Sequence, residues 1–141
     1  MSIQAVLLPL FVQIVLTFVL LLWMAGLNAA AFRSGAVRWQ DIALRQPNWP
    51  ARNRQIQNAY HNQLELPVLF YVLTVLSIVS RHADLLFVIL AWVFVALRCL
   101  QAFVHVTDNH VPRRGALFLA GAIVLAAMWA IFILRMLLGL G

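Results

Sequence analysis

From Ser2 to Phe32 the chain carries no charged side chain. A helix needs about 20 consecutive apolar residues to cross the hydrocarbon core of a bilayer, so this run is long enough to span. Three more apolar runs follow, giving spans at about 3–32, 58–80, 85–107 and 113–138 with a loop at about 33–50. Composition agrees: 65% hydrophobic and 10% charged residues leave too little polar surface to clothe a water-soluble domain. The runs are too long for membrane strands and lack two-residue alternation, which excludes a barrel. The expected fold is therefore an all-α membrane protein, a single four-transmembrane-helix bundle. The short connection from Arg81 to Asp84 makes the second and third spans antiparallel neighbours.

A cleaved leader is the competing reading of the first run, because Ala29, Ala30 and Ala31 offer small residues at a cut site. The run is preceded by no Lys or Arg and far exceeds a leader's apolar core of about 7–15 residues, so a retained span is expected. Cys99 is the only cysteine and reads as a small apolar residue in a helix. The basic side chains are ten Arg against four acids, a formal net charge of +6. Their placement argues against nucleic acid as a partner. Arg33, Arg38, Arg45, Arg52 and Arg54 lie between the first two apolar runs, and Arg113 and Arg114 in the third connection, whereas only Arg81 and Arg135 mark the opposite side. The positive-inside rule then puts the first and third loops in the cytoplasm, near anionic membrane lipid, and both termini on the other side. Within the first loop a short helical turn is expected from Trp39 to Leu44. Pro47 and Pro50 break it, and the second helix starts near Pro50 and projects from the bilayer.

The segment Asn62-Gln63-Leu64-Glu65-Leu66-Pro67 places an ionisable carboxylate at the mouth of a spanning run. An acid there costs about 2.5–3.5 kcal/mol even on lenient scales, so Glu65 calls for a partner or a purpose. At 100° per residue, Arg54, Asn58, His61, Asn62 and Glu65 share one face of the second helix. Arg98, Gln101 and His105 share a face of the third. Counted from the short external turn, Glu65 lies about 22 Å deep and Arg98 about 20 Å at 1.5 Å per residue. Equal depth predicts a Glu65–Arg98 ion pair or a polar ligand shared between them. Pro67 removes a donor and frees the Gln63 carbonyl, which adds an acceptor and a kink. The stripe reads either as polar glue between helices or as a binding site. A metal held by His61, His105 and Glu65 lacks a spacing signature, and none is expected. His82 and His110 fall in turns and read as solvated. On the first helix Ala25, Gly26, Ala29 and Ala30 form a small-residue face that admits another helix closely.

The run from Arg54 to Phe70, RQIQNAYHNQLELPVLF, resembles the second-helix motif of the MAPEG family, the membrane-associated proteins in eicosanoid and glutathione metabolism. Chain length, the four spans, the long basic first loop and the Arg-rich third connection agree with it, and the match is nearer the uncharacterised bacterial-type branch than the eicosanoid enzymes. The resemblance implies a homotrimer with glutathione bound between subunits near the cytoplasmic face. It matches Asn62, Glu65 and Arg98 to glutathione contacts, and Arg114, with Arg113 as the alternative, to the Arg that activates the thiol. Asn58, His61 and His105 complete the candidate binding set. In two places the chain departs from the family pattern: Asn58 stands where Arg is usual, and His105 where Tyr is usual.

The function expected from this resemblance is a glutathione-dependent transferase or peroxidase acting on lipophilic small molecules. The alternatives are a non-catalytic lipid- or thiol-binding protein of the same family and a small multidrug exporter. Exporters of that kind carry their acid in the first helix, where this chain has none.

Overall fold

The computed structural model describes residues 2–139. Five helices follow one another: α1 (Ile3–Arg33), α2 (Ala51–Asn62), α3 (Leu66–Val79), α4 (Leu85–Val106) and α5 (Val111–Leu137), with a single 3₁₀ turn, Trp39–Asp41, in the first loop. Taking α2 and α3 together, four helices are long and apolar enough to cross a membrane: Ile3–Arg33, Ala51–Val79, Leu85–Val106 and Val111–Leu137. They fit a multi-pass integral membrane protein.

The second span is broken where a kink was expected. In a continuous helix the Gln63 carbonyl would take the N–H of residue 67, which is proline, and the ring would press on that carbonyl. The chain instead ends α2 at Asn62, passes through Gln63, Leu64 and Glu65, and restarts with Pro67 in the first turn of α3, where its missing donor costs nothing.

Helix α4 is central, packing on α1, α2 and α5. Its Phe87, Val88, Ala91, Phe94 and Val95 meet Val6 and Leu10 of α1, Phe70 and Leu73 of α3, and Leu125 and Met128 of α5. The Phe70 and Phe94 rings lie 5.0 Å apart. Large apolar side chains on the outer faces, such as Phe11, Phe18, Val75, Phe103 and Ile123, remain exposed, as lipid-facing residues do. Ala25, Gly26, Ala29 and Ala30 are also exposed, so no other described helix of the chain covers the small face of α1.

The turn between α3 and α4 is fastened to α5. Asp84 caps α4 by accepting the Phe87 N–H (3.0 Å), and it pairs with Arg135 at 2.8 Å. His82 is half-buried, contrary to the solvated reading, because its ring stands edge-on to Phe132 and its Nδ1 lies 3.0 Å from Ser80 Oγ. Burial pushes the Asp84 carboxyl up, but the Phe87 N–H and Arg135 outweigh it and hold the group below its ordinary 3.8. A carboxyl depressed by folding stabilises the protein fully above its unfolded value and loses that contribution as pH falls through the folded one. Asp84→Asn keeps the cap and removes the charge. We expect it to cost about 0.2–1 kcal/mol, as partly exposed pairs do. Thermal unfolding in detergent should show that difference above pH 4 and a shrinking one below.

Candidate functional site

The break in α2–α3 decides where the polar residues face. The last four carbonyls of a helix need outside partners, and in α2 each has one. Gln63 Nε2 donates to the Ala59 carbonyl (3.0 Å), Gln63 N–H to Tyr60 (2.9 Å) and Leu64 N–H to His61 (3.0 Å). Arg98 Nη2, from α4, donates to Asn62 at 2.8 Å. The same nitrogen reaches Gln63 Oε1 at 3.3 Å, and Gln13 of α1 donates to that oxygen at 2.9 Å. Arg98 is only 1% exposed. Among the described residues it makes no ion pair with Glu65, which the break turns outward as the exposed N-cap of α3. The cation expected to meet a carboxylate instead caps a helix end, where a positive charge is favoured.

The other polar candidates converge. Asn58, His61, Asn62 and Glu65 of the second span, Gln101 and His105 of α4, and Arg114, Gly115 and Phe118 of α5 line a cavity of about 450 Å³. Arg98 is not part of this lining. Gln101 and His105 are 2% and 5% exposed, and Gln101 Oε1 and His105 Nε2 have no hydrogen-bond partner among the described residues. Buried polar atoms are rarely left so unless a ligand or water completes them. Helix α2 fixes this part of α4: Gln55 Nε2 donates to the His105 and Thr107 carbonyls (2.8 and 3.0 Å) and Arg52 Nη1 to Val106 (2.6 Å). Arg52 also lies over the Trp23 ring of α1.

The structure separates the two neighbouring arginines at the start of α5. Arg113 points away, pairing with Asp108 at 3.2 Å, while Arg114 lines the cavity and donates to Asn109 Oδ1 at 2.6 Å. The backbone donors that a helix start ordinarily offers an anion are mostly occupied there. Residue 112 is proline, His110 Nδ1 accepts the Arg113 N–H, and the Arg114 N–H bonds the His110 carbonyl. His110 is exposed, but it serves as the N-cap. Arg54, counted with the stripe, lines a second cavity on the loop side that shares Asn58, His61 and Glu65 with the first. Among the described residues no three His, Cys, Asp or Glu side chains gather closely enough to hold a metal ion.

Gln13 and Gln63 escaped the reading of the sequence. A lone amide in a charge-free span is itself a signal for a helix-to-helix hydrogen bond. Gln63 sits 100° off the stripe, where helical periodicity gives its side chain no neighbour among the stripe's polar groups. Because Arg98 caps a helix and makes no ion pair with Glu65, their substitutions should couple only weakly. Arg98→Met is expected to cost about 2 kcal/mol by stranding the Asn62 carbonyl, whereas Glu65→Gln should stay within about 0.5 kcal/mol. In thermal unfolding the double variant should equal their sum within about 0.5 kcal/mol. A double variant more stable than Arg98→Met alone would restore the ion pair.

Comparison with known proteins gives one result. The model of the MAPEG family matches residues 6–134, nearly the whole chain. No curated protein and no solved structure matches. The four spans, the broken second helix and the polar cavity thus stand in a sequence that the family model covers almost end to end, and the chain belongs to the MAPEG family.

Proposed function

We propose that the polar cavity binds glutathione and that the protein uses it to conjugate or reduce lipophilic substrates. The observation that carries this reading is the convergence of Asn58, His61, Asn62, Glu65, His105 and Arg114 on one cavity, with Gln101 Oε1 and His105 Nε2 buried there without partners. A volume of about 450 Å³ lies within the ordinary range for small-molecule sites. The lining suits a tripeptide zwitterion: Glu65 for its ammonium, Arg114 for an anion, and the amides of Asn58, Asn62 and Gln101 for its peptide groups.

A free thiol is mostly protonated at neutral pH, and the thiolate is the nucleophile. Arg114 beside the sulfur would favour the thiolate. In conjugation a C–S bond forms and the opened or departing group takes the electron pair. In peroxide reduction two thiols give a disulfide, while the hydroperoxide becomes an alcohol and water. The lipophilic partner would enter sideways from the bilayer. The seven Arg of the first and third connections, against Arg81 and Arg135, support a cytoplasmic position for the cavity. The uncovered small-residue face of α1 supports a homotrimer.

Binding without turnover is the second reading. Two features favour it: Asn58 and His105 supply neither the cation nor the phenol of the family pattern, and Arg114 is already engaged by Asn109. Calorimetric titration with glutathione in detergent, followed by transferase and peroxide assays, separates the two. In an active protein Arg114→Lys should leave membrane insertion intact while the bound thiol's pKa rises by about one unit, leaving about tenfold less thiolate at neutral pH and slower turnover. No glutathione binding would overturn the proposal; unchanged thiolate absorbance and turnover would overturn the role of Arg114.

A further inference from the structure

The cavity on the loop side, about 680 Å³, differs in chemistry from the one just described. Its lining carries a cluster of free donors on Asn28, Arg45, Gln46 and Arg54, apart from the acceptors of Gln57, Asn58, His61 and Glu65. The side chains of Arg45 and Arg54 line it and have neither an ion pair nor a hydrogen bond among the described residues. Two amides on the same wall are held with their oxygens occupied. Asn28 Oδ1 accepts from Asn53 Nδ2 (3.2 Å) and Gln57 Nε2 (3.0 Å), and Gln46 Oε1 accepts the Leu44 N–H (2.8 Å). Each amide therefore keeps its NH₂ for another partner.

The loop has no acid to give these cations. Asp41 is the one carboxylate between Arg33 and Pro50, and it is taken by Arg38 through the backbone N–H (3.1 Å) and the guanidinium (3.4 Å). The Arg38 backbone N–H is the main reason the Asp41 carboxyl lies below its ordinary 3.8. Glu65 is the only carboxylate on the lining, at the wall shared with the other cavity.

We propose that the loop-side cavity binds a phosphate-type oxyanion, with Arg45 and Arg54 as its counter-charges and the Asn28 and Gln46 amides as further donors. Two guanidiniums and two amide groups match an anion with several acceptor oxygens. That chemistry has two sources, the headgroup of an anionic phospholipid and a free phosphate ester. The site stands independently of glutathione, since no residue that supplies its donors lines the first cavity.

The test uses purified full-length protein in detergent, titrated with phosphatidylglycerol in mixed micelles and separately with glycerol 3-phosphate. Each basic residue near a membrane surface contributes roughly fivefold in affinity, so the Arg45→Gln/Arg54→Gln double variant should bind about thirtyfold more weakly. Arg38→Gln removes the same kind of charge from the same loop and should leave binding unchanged. If the double variant does not fold, Asn28→Asp serves instead: it keeps both accepted hydrogen bonds, sets a carboxylate among the donors, and should weaken binding comparably. Binding of phosphatidylglycerol alone assigns the oxyanion to a lipid headgroup, and binding of both probes assigns it to free esters as well; either supports the site. Equal loss in Arg38→Gln and the double variant, or binding of neither probe, overturns it.

Discussion

The hydrogen bond from Arg98 to the Asn62 carbonyl makes the rest of the architecture possible. A helix interrupted at membrane depth exposes carbonyls that lipid does not satisfy, and each such group costs several kcal/mol. Here the interruption is capped from both sides of the break, by Gln63 and Leu64 locally and by Arg98 from α4. The relation is reciprocal. Arg52 and Gln55 of α2 cap the end of α4, donating to His105, Val106 and Thr107. Each helix closes the other's C-terminal end with side chains, which fixes their register.

That register places the chemistry. With α2 stopped at Asn62, Glu65 no longer continues its helical face but sits at the N-cap of α3, exposed between two cavities. The same clamp holds the His105 backbone from behind while its Nε2 stays without a partner. The polar groups at this site are thus divided. Gln13, Gln63 and Arg98 hold the break, and Asn58, His61, Glu65, Gln101 and His105 face the cavity. The glue reading of the stripe thus holds for Arg98, which caps α2, whereas Asn58, His61, Glu65, Gln101 and His105 stand on the wall of a cavity.

Much of this was legible beforehand because hydropathy and helical periodicity are local. Four apolar runs give four spanning helices, and 100° counting puts Arg54, Asn58, His61, Asn62 and Glu65 on one face, of which all but Arg54 line the first cavity and Arg54 lines the second. What escaped was non-local. Pro67 reads equally as a kink or as a first-turn residue, and only a tertiary donor for the carbonyl at the end of α2, here Arg98 on Asn62, decides between them. A guanidinium that caps a backbone carbonyl leaves no trace in residue types, so a depth argument paired Arg98 with the nearest acid. The loop-side cavity is lined by residues of the first loop together with α1 and α2, and the loop is tied to α1 by Trp49 standing edge-on to Phe32, a contact no local pattern announces.

The start of α5 shows how finely side-chain direction divides equal residues. Arg113 and Arg114 differ by 100° around the helix, enough to send one to Asp108 and the other to the cavity. A helix N-terminus ordinarily offers an anion several backbone donors. Here Pro112 has none, and the Arg113 and Arg114 amides are bound to His110. What positive charge this helix start presents to the cavity therefore comes from a side chain rather than from the backbone. A fork of donors held by Asn109 at 2.6 Å has a direction as well as a charge, and a lysine ammonium reproduces only the charge.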